Sequence, residues 1–249
     1  MSTGSPANKS SILSPFPETA WTVVARAHTS RSEQAQQALE TICRDYWQPV
    51  YSFLRKSGRD RADAQDLTQG FFGRIIEDNL LQKASPEKGR LRSFLLGSLK
   101  RFLSRENQRA NATKRGGGVS FVPLEIKAAE QEFERELKSE ETPEALYDRA
   151  WAAQVVARAQ QVLEDEYRKK KKTELFEELR NFLDWNATSA SYEDAADRLG
   201  MSRTNLRTNI YRMRGRFREL LQREIAETVL EAAQVDEELE HLVQILQNA

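Results

Sequence analysis

The chain has 249 residues, of which 39% are hydrophobic and 31% charged, and its 38 basic and 38 acidic side chains cancel to a formal net charge of zero. This length suggests one or two domains, each with its own core. Zero net charge argues against a protein that coats nucleic acid without regard to sequence. The charges are nevertheless segregated, because residues 89–115 and 203–218 are basic whereas residues 125–148 are acidic.

The composition also narrows the class of protein and its compartment. Strand-forming runs are almost absent, which predicts an all-α fold. The single cysteine, Cys43, excludes an internal disulfide and a zinc site built from several cysteines. With no signal peptide and no apolar run long enough to span a bilayer, the chain is expected to be cytoplasmic and free of membrane contact.

The N-terminal half predicts a disordered tail and a helical domain. Residues 1–18 are rich in Ser and Pro and lack periodicity, so they are assigned to the tail, and residues 19–115 to the domain. Residues 31–56 predict a long amphipathic helix or a helix pair, bent at Pro49. A second helix is predicted at about 61–79. Its inward face consists of Ala64, Leu67, Phe71 and Ile75.

A third helix follows a breaker at residues 85–89. Its apolar stripe consists of Leu91, Phe94, Leu95, Leu99, Phe102 and Leu103. Its opposite face carries Arg92, Lys100, Arg101, Ser104, Arg105 and Arg109. The pattern predicts a cationic helix on the rim of the N-terminal domain.

Three consecutive glycines end this domain, and residues 116–142 form an acidic linker. Thr142 and Pro143 then have the order of a helix cap and a first-turn proline, so a new helix is predicted from Pro143. The lysine run at 169–172 is interpreted as a solvated helix end. A further apolar helix at 175–185 is expected to pack behind the helix that follows.

Residues 191–221 predict a helix-turn-helix. Ser191 is interpreted as the cap of a first helix, Gly200 as a turn residue with positive φ, and Ser202 as the cap of a second helix. The second helix has one apolar stripe, at Leu206, Ile210, Met213 and Phe217. Its other face is rich in Arg and Asn without an acid, which is the composition of a helix that enters a major groove. The alternative is a solvated basic helix in a bundle.

Residues 143–230 are therefore predicted to form a C-terminal helix-turn-helix domain, joined to the first domain by the flexible linker. Residues 231–249 are predicted as a helical extension. Its apolar stripe consists of Val235, Leu239, Leu242, Val243 and Leu246.

Three motifs together resemble bacterial RNA polymerase sigma factors of the two-domain extracytoplasmic-function type. Residues 63–72, read as DAQDLTQGFF, are similar to the second conserved region of that family. Residues 90–107, which begin RLRSFLL, resemble the helix that reads and melts the promoter −10 element. Residues 192–221 resemble the region that reads the −35 element. The likeness covers about 35–115 and 145–223.

The resemblance implies partners and roles for particular residues. The −35 element would be read by Arg203, Thr204, Asn205, Arg207, Thr208, Asn209, Arg212 and Arg216. The −10 element would be held by Arg92, Lys100, Arg101, Ser104, Arg105, Glu106, Asn107 and Arg109. The clamp helices of the largest polymerase subunit would dock on Asp66, Gln69, Phe72 and Arg74. The flap of the second-largest subunit is the other expected polymerase contact.

The additions to the family pattern leave regulation open. The helical stretch at 169–185 and the terminal helix either replace a separate regulator or only enlarge the core. An anti-sigma protein and a Ser/Thr kinase are the regulators that the resemblance allows.

The sequence does not predict an enzyme, a cofactor or a metal site. His28 and His241 are far apart, and Cys43 lies on an apolar helix face, where a buried inert thiol is expected. Two other functions stay open. One is an autonomous helix-turn-helix repressor that uses the terminal helix as a dimer seam, and the other is a sigma-like polymerase adaptor that opens no DNA.

Overall fold

A computed structural model describes residues 33–83, 90–112, 141–183, 189–229 and 233–247. All regular secondary structure in these ranges is helical, which confirms the predicted all-α class. The α-helices are α1 (Glu33–Lys56), α2 (Arg61–Glu77), α3 (Leu91–Ala112), α4 (Pro143–Lys169), α5 (Thr173–Leu179), α6 (Ser189–Arg198), α7 (Arg203–Ala226) and α8 (Gln234–Gln247). Short 3-10 helices follow α2 at Leu80–Lys83 and α5 at Arg180–Phe182.

Local sequence signals set several of these boundaries. Asp60, Thr142 and Ser202 each have an extended backbone, and each side chain accepts a hydrogen bond from the backbone N–H three residues later. This satisfies one of the amide groups that a helix start leaves without an intrahelical partner. Gly58 and Gly200 have φ values of 86° and 59°, so both turns use glycine where a side chain would be strained.

Helix α1 is one continuous helix, with Pro49 inside it. Of the two arrangements that the sequence predicts, a long helix and a helix pair, the structure has the long helix. From Pro49 to Leu54 every residue is buried. A helix segment that is enclosed on all sides lies at the centre of a core, so tertiary packing here stabilises a helix that contains a proline.

Helix α4 is the central support of the fold. It packs against α1, α5, α7 and α8. Trp151, Val155 and Leu163 are at most 1% exposed. Ala152 and Ala159 are fully buried as well, and their small side chains allow neighbouring helices to approach α4 closely.

One cluster of buried side chains includes residues from both halves of the chain, for example Val50, Trp151 and Leu206. Arg158 connects the same helices by charge, since its Nε donates to Glu224 at 2.7 Å and its Nη1 lies 3.4 Å from Asp45. The two predicted domains therefore pack against each other. The division into domains stays a prediction, because this packing does not establish whether either half folds alone.

The structure corrects three details of the predicted elements. Helix α6 begins at Ser189, so Ser191 lies in its first turn and is not the cap. The expected apolar helix after α4 is the seven-residue α5 and a 3-10 turn. On α8, Leu239 and Leu242 are buried, whereas Leu246 is 45% exposed, so the apolar stripe does not face the core along its whole length.

Several predictions lie outside the described residues. These are the tail at 1–18, the linker from 113 to 140, His28 and Trp185. None of the described helices is both long enough and apolar enough to cross a membrane.

Candidate nucleic-acid interface

The turn between α6 and α7 is fixed by backbone hydrogen bonds. The N–H of Gly200 donates to Asp197 O at 3.1 Å, and that of Met201 donates to Ala196 O at 3.0 Å. These bonds satisfy carbonyls at the end of α6, and the left-handed Gly200 reverses the chain. Ala195 and Ala196 are buried beneath the turn. Helix α7 therefore leaves the turn in a defined direction.

The inner face of α7 is apolar, as predicted. Leu206, Ile210 and Met213 are at most 4% exposed, and Phe217 packs against the same cluster while partly exposed. Because residues at these spacings share one side of a helix, the opposite side of the first half of α7 faces solvent.

The outward side of the first half of α7 is polar and cationic. Its exposed residues are Arg203, Thr204, Asn205, Arg207, Thr208, Tyr211 and Arg212. Arg203 pairs with Glu193 of α6 at 2.6 Å while its side chain stays 65% exposed. Arg207 and Arg212 form no ion pair within the described ranges. These two guanidinium groups are therefore available to an anionic partner.

Two polar side chains in this set bond to their own helix. Thr208 Oγ1 donates to Thr204 O at 2.9 Å. Asn209 Nδ2 donates to Asn205 O at 2.9 Å, and Asn209 is half-buried beside Met201. A base contact through the Asn209 amide nitrogen would have to replace this hydrogen bond.

Arg216, which the resemblance assigns to the −35 interface, pairs with acids of the protein. Arg216 Nη2 donates to Glu166 of α4 at 2.6 Å, and Nη1 donates to Glu219. The hydrogen bond from Arg216 lowers the pKa of Glu166. Arg214 likewise donates to the Phe182 carbonyl at 2.8 Å. Arg214 and Arg216 therefore bind the protein itself, unlike Arg207 and Arg212 in the first half of α7.

Tyr211 is a surface residue that the sequence prediction missed. It is 80% exposed, which is unusual for a large aromatic side chain. Arg203, Arg207 and Tyr211 recur at steps of four and so form one ridge. The sequence did contain a signal, since position 211 falls outside the apolar stripe. The ridge borders an open cleft of about 450 Å³ that is lined by Tyr192, Glu193, Arg203, Arg207, Ile210, Tyr211 and Arg214.

Helix α3 presents part of its predicted cationic face. Arg101, Ser104 and Arg105 are exposed, and Glu106 is partly buried. Asn107 accepts a hydrogen bond from Arg59 at 2.7 Å. The side chain of Lys100 is 50% exposed, and its Nζ lies 2.7 Å from Glu144 at the start of α4. The side chain of Arg109 is outside the described set.

Arg92, expected on this outer face, is buried. It is 7% exposed and pairs with Asp148 of α4 at 2.8 Å and with Glu238 of α8. Its guanidinium carbon lies 5.2 Å from the centroid of the Trp151 ring. The first turn of α3 is enclosed by distant helices, which helical periodicity within α3 does not reveal. Arg92 therefore cannot contact DNA in this conformation.

The predicted polymerase-binding set is also divided. Asp66 is exposed, Gln69 is partly buried, and Arg74 pairs with Asp78 at 2.8 Å. Phe72 was expected on the outer face, but it is only 5% exposed and its ring stacks on Trp47 at a centroid distance of 6.2 Å. Because consecutive Phe71 and Phe72 are both buried, the inner face of α2 is wider than the predicted stripe.

Metal binding and the reactivity of Cys43 can be judged in the part of the chain that the structure describes. No three His, Cys, Asp or Glu side chains there are arranged to hold a metal ion. Burial, with a smaller effect of Glu40, raises the pKa of the Cys43 thiol to about 12. The nucleophilic thiolate is therefore scarce at neutral pH.

Comparison of the chain with family models, with curated proteins and with solved structures finds no match in any of the three.

Proposed function

We propose that this chain is a sigma factor, which binds core RNA polymerase, recognises −35 and −10 promoter elements and directs initiation with promoter melting. The observation that carries the proposal is the outward face of α7, where Arg203, Arg207, Tyr211 and Arg212 face solvent directly after a glycine turn. A helix held from behind by an apolar stripe and cationic in front can enter a major groove.

The chemistry of this face suits duplex DNA. Arginine donates two hydrogen bonds to guanine O6 and N7, or it neutralises a phosphate. Arg207 and Arg212 have no competing ion pair among the described residues, so neither has to break a protein contact first. We infer that these two residues, with Tyr211 beside them, form the centre of the −35 interface.

The second DNA contact in this proposal is the exposed part of α3. Opening a duplex costs several kcal/mol, which a protein recovers by holding an extruded base and gripping the displaced strand. Arg101 and Arg105 would supply the grip, and Ser104 lies between them. Asp66 and Gln69 on α2 would bind the clamp helices of the polymerase, whose own chemistry makes the RNA.

The test is a pull-down with core RNA polymerase followed by run-off transcription on genomic DNA of the source organism. The proposal expects a stable complex with the polymerase and new transcripts that start only when the chain is added. Replacing Asp66 and Gln69 with Ala should weaken the complex, whereas Glu77→Gln on the same helix is the matched control. Failure to bind polymerase would end the proposal.

The same material separates the alternative functions. A repressor would bind a palindromic duplex tightly without polymerase, whereas a sigma factor should bind promoter DNA poorly until polymerase joins it. A polymerase adaptor would bind the enzyme but would produce no permanganate-reactive thymines at the −10 element. The order of the affinities and the footprint therefore distinguish the three.

A further inference from the structure

The first turn of α3 is held by acids from the C-terminal part of the chain. Arg90 Nη2 lies 2.8 Å from Glu237, and its Nε lies 2.9 Å from Glu238. Arg92 pairs with Glu238 as well, and with Asp148 at 2.8 Å. Arg90 is therefore bound by two carboxylates of α8, and Arg92 by one carboxylate of α8 and one of α4.

Two further hydrogen bonds hold the same turn in place. The Leu91 N–H donates to the Thr228 carbonyl just beyond α7 at 3.1 Å, and the Tyr147 hydroxyl donates to the Arg92 carbonyl at 3.0 Å. Tyr147 is fully buried. The start of α3 therefore contacts the C-terminal half of the chain through a backbone hydrogen bond, a tyrosine hydroxyl and several ion pairs.

The acids continue along α3. Lys100, which directly follows the buried Leu99, has its Nζ 2.7 Å from Glu144 at the start of α4. Arg90, just before α3, and Arg92 and Lys100 within it thus each face a carboxylate from the C-terminal half. Carboxylate and phosphate oxygens offer the same charge-assisted hydrogen bonds to Arg and Lys, so one cation cannot make its full set with both.

We propose that α8 and the start of α4 form an acidic latch, made of Glu144, Asp148, Glu237 and Glu238, which occupies the cationic edge of α3 in place of DNA phosphates. Arg90 and Arg92 at the start of α3 then reach promoter DNA only after α8 is displaced, whereas the exposed Arg101 and Arg105 are not covered by α8. This inference rests on the proposed sigma function, and it gives the terminal helix a regulatory role.

Glu238 is the residue on which the latch depends. It is fully buried and bonds both Arg90 and Arg92. A buried carboxylate is costly without its cationic partners. Glu238 therefore has to leave its buried position when the two arginines leave. The start of α3 and helix α8 are thus expected to separate from each other in one step.

The test locks the latch through Arg90→Cys and Glu237→Cys, two positions whose native side chains form an ion pair. Both are introduced together with Cys43→Ala, because Cys43 is the one native cysteine of the chain. A reducible bismaleimide joins the two thiols, and each single-cysteine variant treated in the same way is the control. The amount of run-off transcript made with the locked protein should fall roughly tenfold or more, as expected when a conformational step is blocked. Reduction of the linker should restore it.

A second variant opens the latch without a cross-link. Glu238→Gln keeps the shape of the side chain and removes its charge, whereas Glu240→Gln changes an exposed acid on the same helix. The latch predicts faster amide hydrogen exchange in α8 and the first turn of α3 for Glu238→Gln only, together with more transcription. Circular dichroism checks that the variant is folded, and the cross-linking result does not depend on it.

The outcomes separate the latch from the proposed function. If the uncross-linked protein does not bind core polymerase, the proposed function fails. If it is active and the locked form is equally active, the latch is wrong. The latch would also be overturned if Glu238→Gln is folded and its amide hydrogens in α8 and the first turn of α3 exchange no faster than those of Glu240→Gln. This measurement does not require polymerase.

Discussion

Arg207, Tyr211 and Arg212 have side chains in solvent, and no hydrogen bond or ion pair joins them to the protein in the described ranges. Surface residues of this kind usually contribute little to folding stability. Replacing them should therefore change binding to a partner, if this side of α7 contacts one, without changing the fold. At the residue scale the strongest predictions concern these three positions.

The first prediction concerns the two free arginines. Replacing Arg207 or Arg212 with Ala should cost about 1–3 kcal/mol of promoter affinity if the residue reads a base, whereas loss of a phosphate contact should lower the salt slope by about one unit. Fluorescence anisotropy of the polymerase complex at several salt concentrations measures both. The control is Lys169→Ala with Lys170→Ala at the exposed end of α4. If the control loses as much promoter affinity as the Arg207 or Arg212 variant, only the total positive charge of the protein matters and these two positions have no special role.

The second prediction concerns the exposed ring of Tyr211. Tyr211→Ala should weaken promoter binding by about 1–2 kcal/mol, the order expected for burying part of an aromatic ring. Tyr211→Phe should keep most of the affinity, because the ring rather than the hydroxyl makes the contact. Thermal unfolding should change by no more than about 0.5 kcal/mol in either variant. Wild-type affinity in Tyr211→Ala would remove this residue from the interface.

The sequence predicts correctly those features that depend on neighbouring residues. It does not predict burial that is caused by a helix from elsewhere in the chain. The caps at Thr142 and Ser202 and the turn at Gly200 depend on neighbouring residues, so their patterns are readable. Periodicity predicts Arg92 on an outer face, and the family resemblance predicts the same for Phe72, but helices from elsewhere in the chain cover both residues. Tertiary contacts of this kind leave no trace in the spacing of one helix.

At the scale of elements, the α6–α7 pair depends on one turn whose backbone no other residue type adopts as easily. The third prediction compares two glycines in this region. Gly200→Ala should destabilise by about 1–2 kcal/mol, because φ is 59° there. Gly215→Ala should stabilise by about 0.5–1 kcal/mol, because Gly215 lies inside α7 and an added Cβ meets nothing within 4 Å. Urea denaturation measures both. Changes of the same sign would contradict the assigned turn.

The docking of α8 should depend on pH through His241. Burial lowers the pKa of His241, and the charge of Arg92 adds to this effect, although Asp148 opposes it. The unfolded chain therefore takes up the proton more readily, so stability is retained above the ordinary pKa of about 6.5 and is lost as the pH falls below it.

The fourth prediction follows from that sign. Between pH 7.5 and 5.5 the free energy of unfolding of the wild-type protein should fall more than that of His241→Gln, as measured by denaturant titration at each pH. Carboxylates common to both proteins cancel in the comparison. Parallel curves for the two proteins would show that His241 does not report on the docking of α8.

At the scale of the whole molecule, the two halves share one buried cluster around α4. Their separation would expose side chains such as Trp151, which is 1% exposed. The linker at 116–142 suggested independent domains, but a linker composition does not tell whether the domains on either side bind each other. Whether the two halves bind each other depends on how α1, α4 and α7 pack together, and these helices are far apart in sequence.

The fifth prediction is that the free chain unfolds in one calorimetric transition. Trp151→Ala should lower the free energy of unfolding of the whole protein by about 3–5 kcal/mol, because removal of a large buried side chain leaves a cavity. A second transition that the substitution leaves unchanged would instead show two domains that fold independently.

The contacts along α4 restrict how its length can change. Near its start Tyr147 and Asp148 hold α3, in its middle Arg158 reaches α1 and α7, and near its end Glu166 holds Arg216. Each residue turns an α-helix by about 100°, so one inserted or deleted residue would rotate the later contacts away from their partners. Seven residues make nearly two full turns and would nearly preserve the orientation. Relatives of this chain should therefore vary in the length of their loops far more freely than in that of this helix.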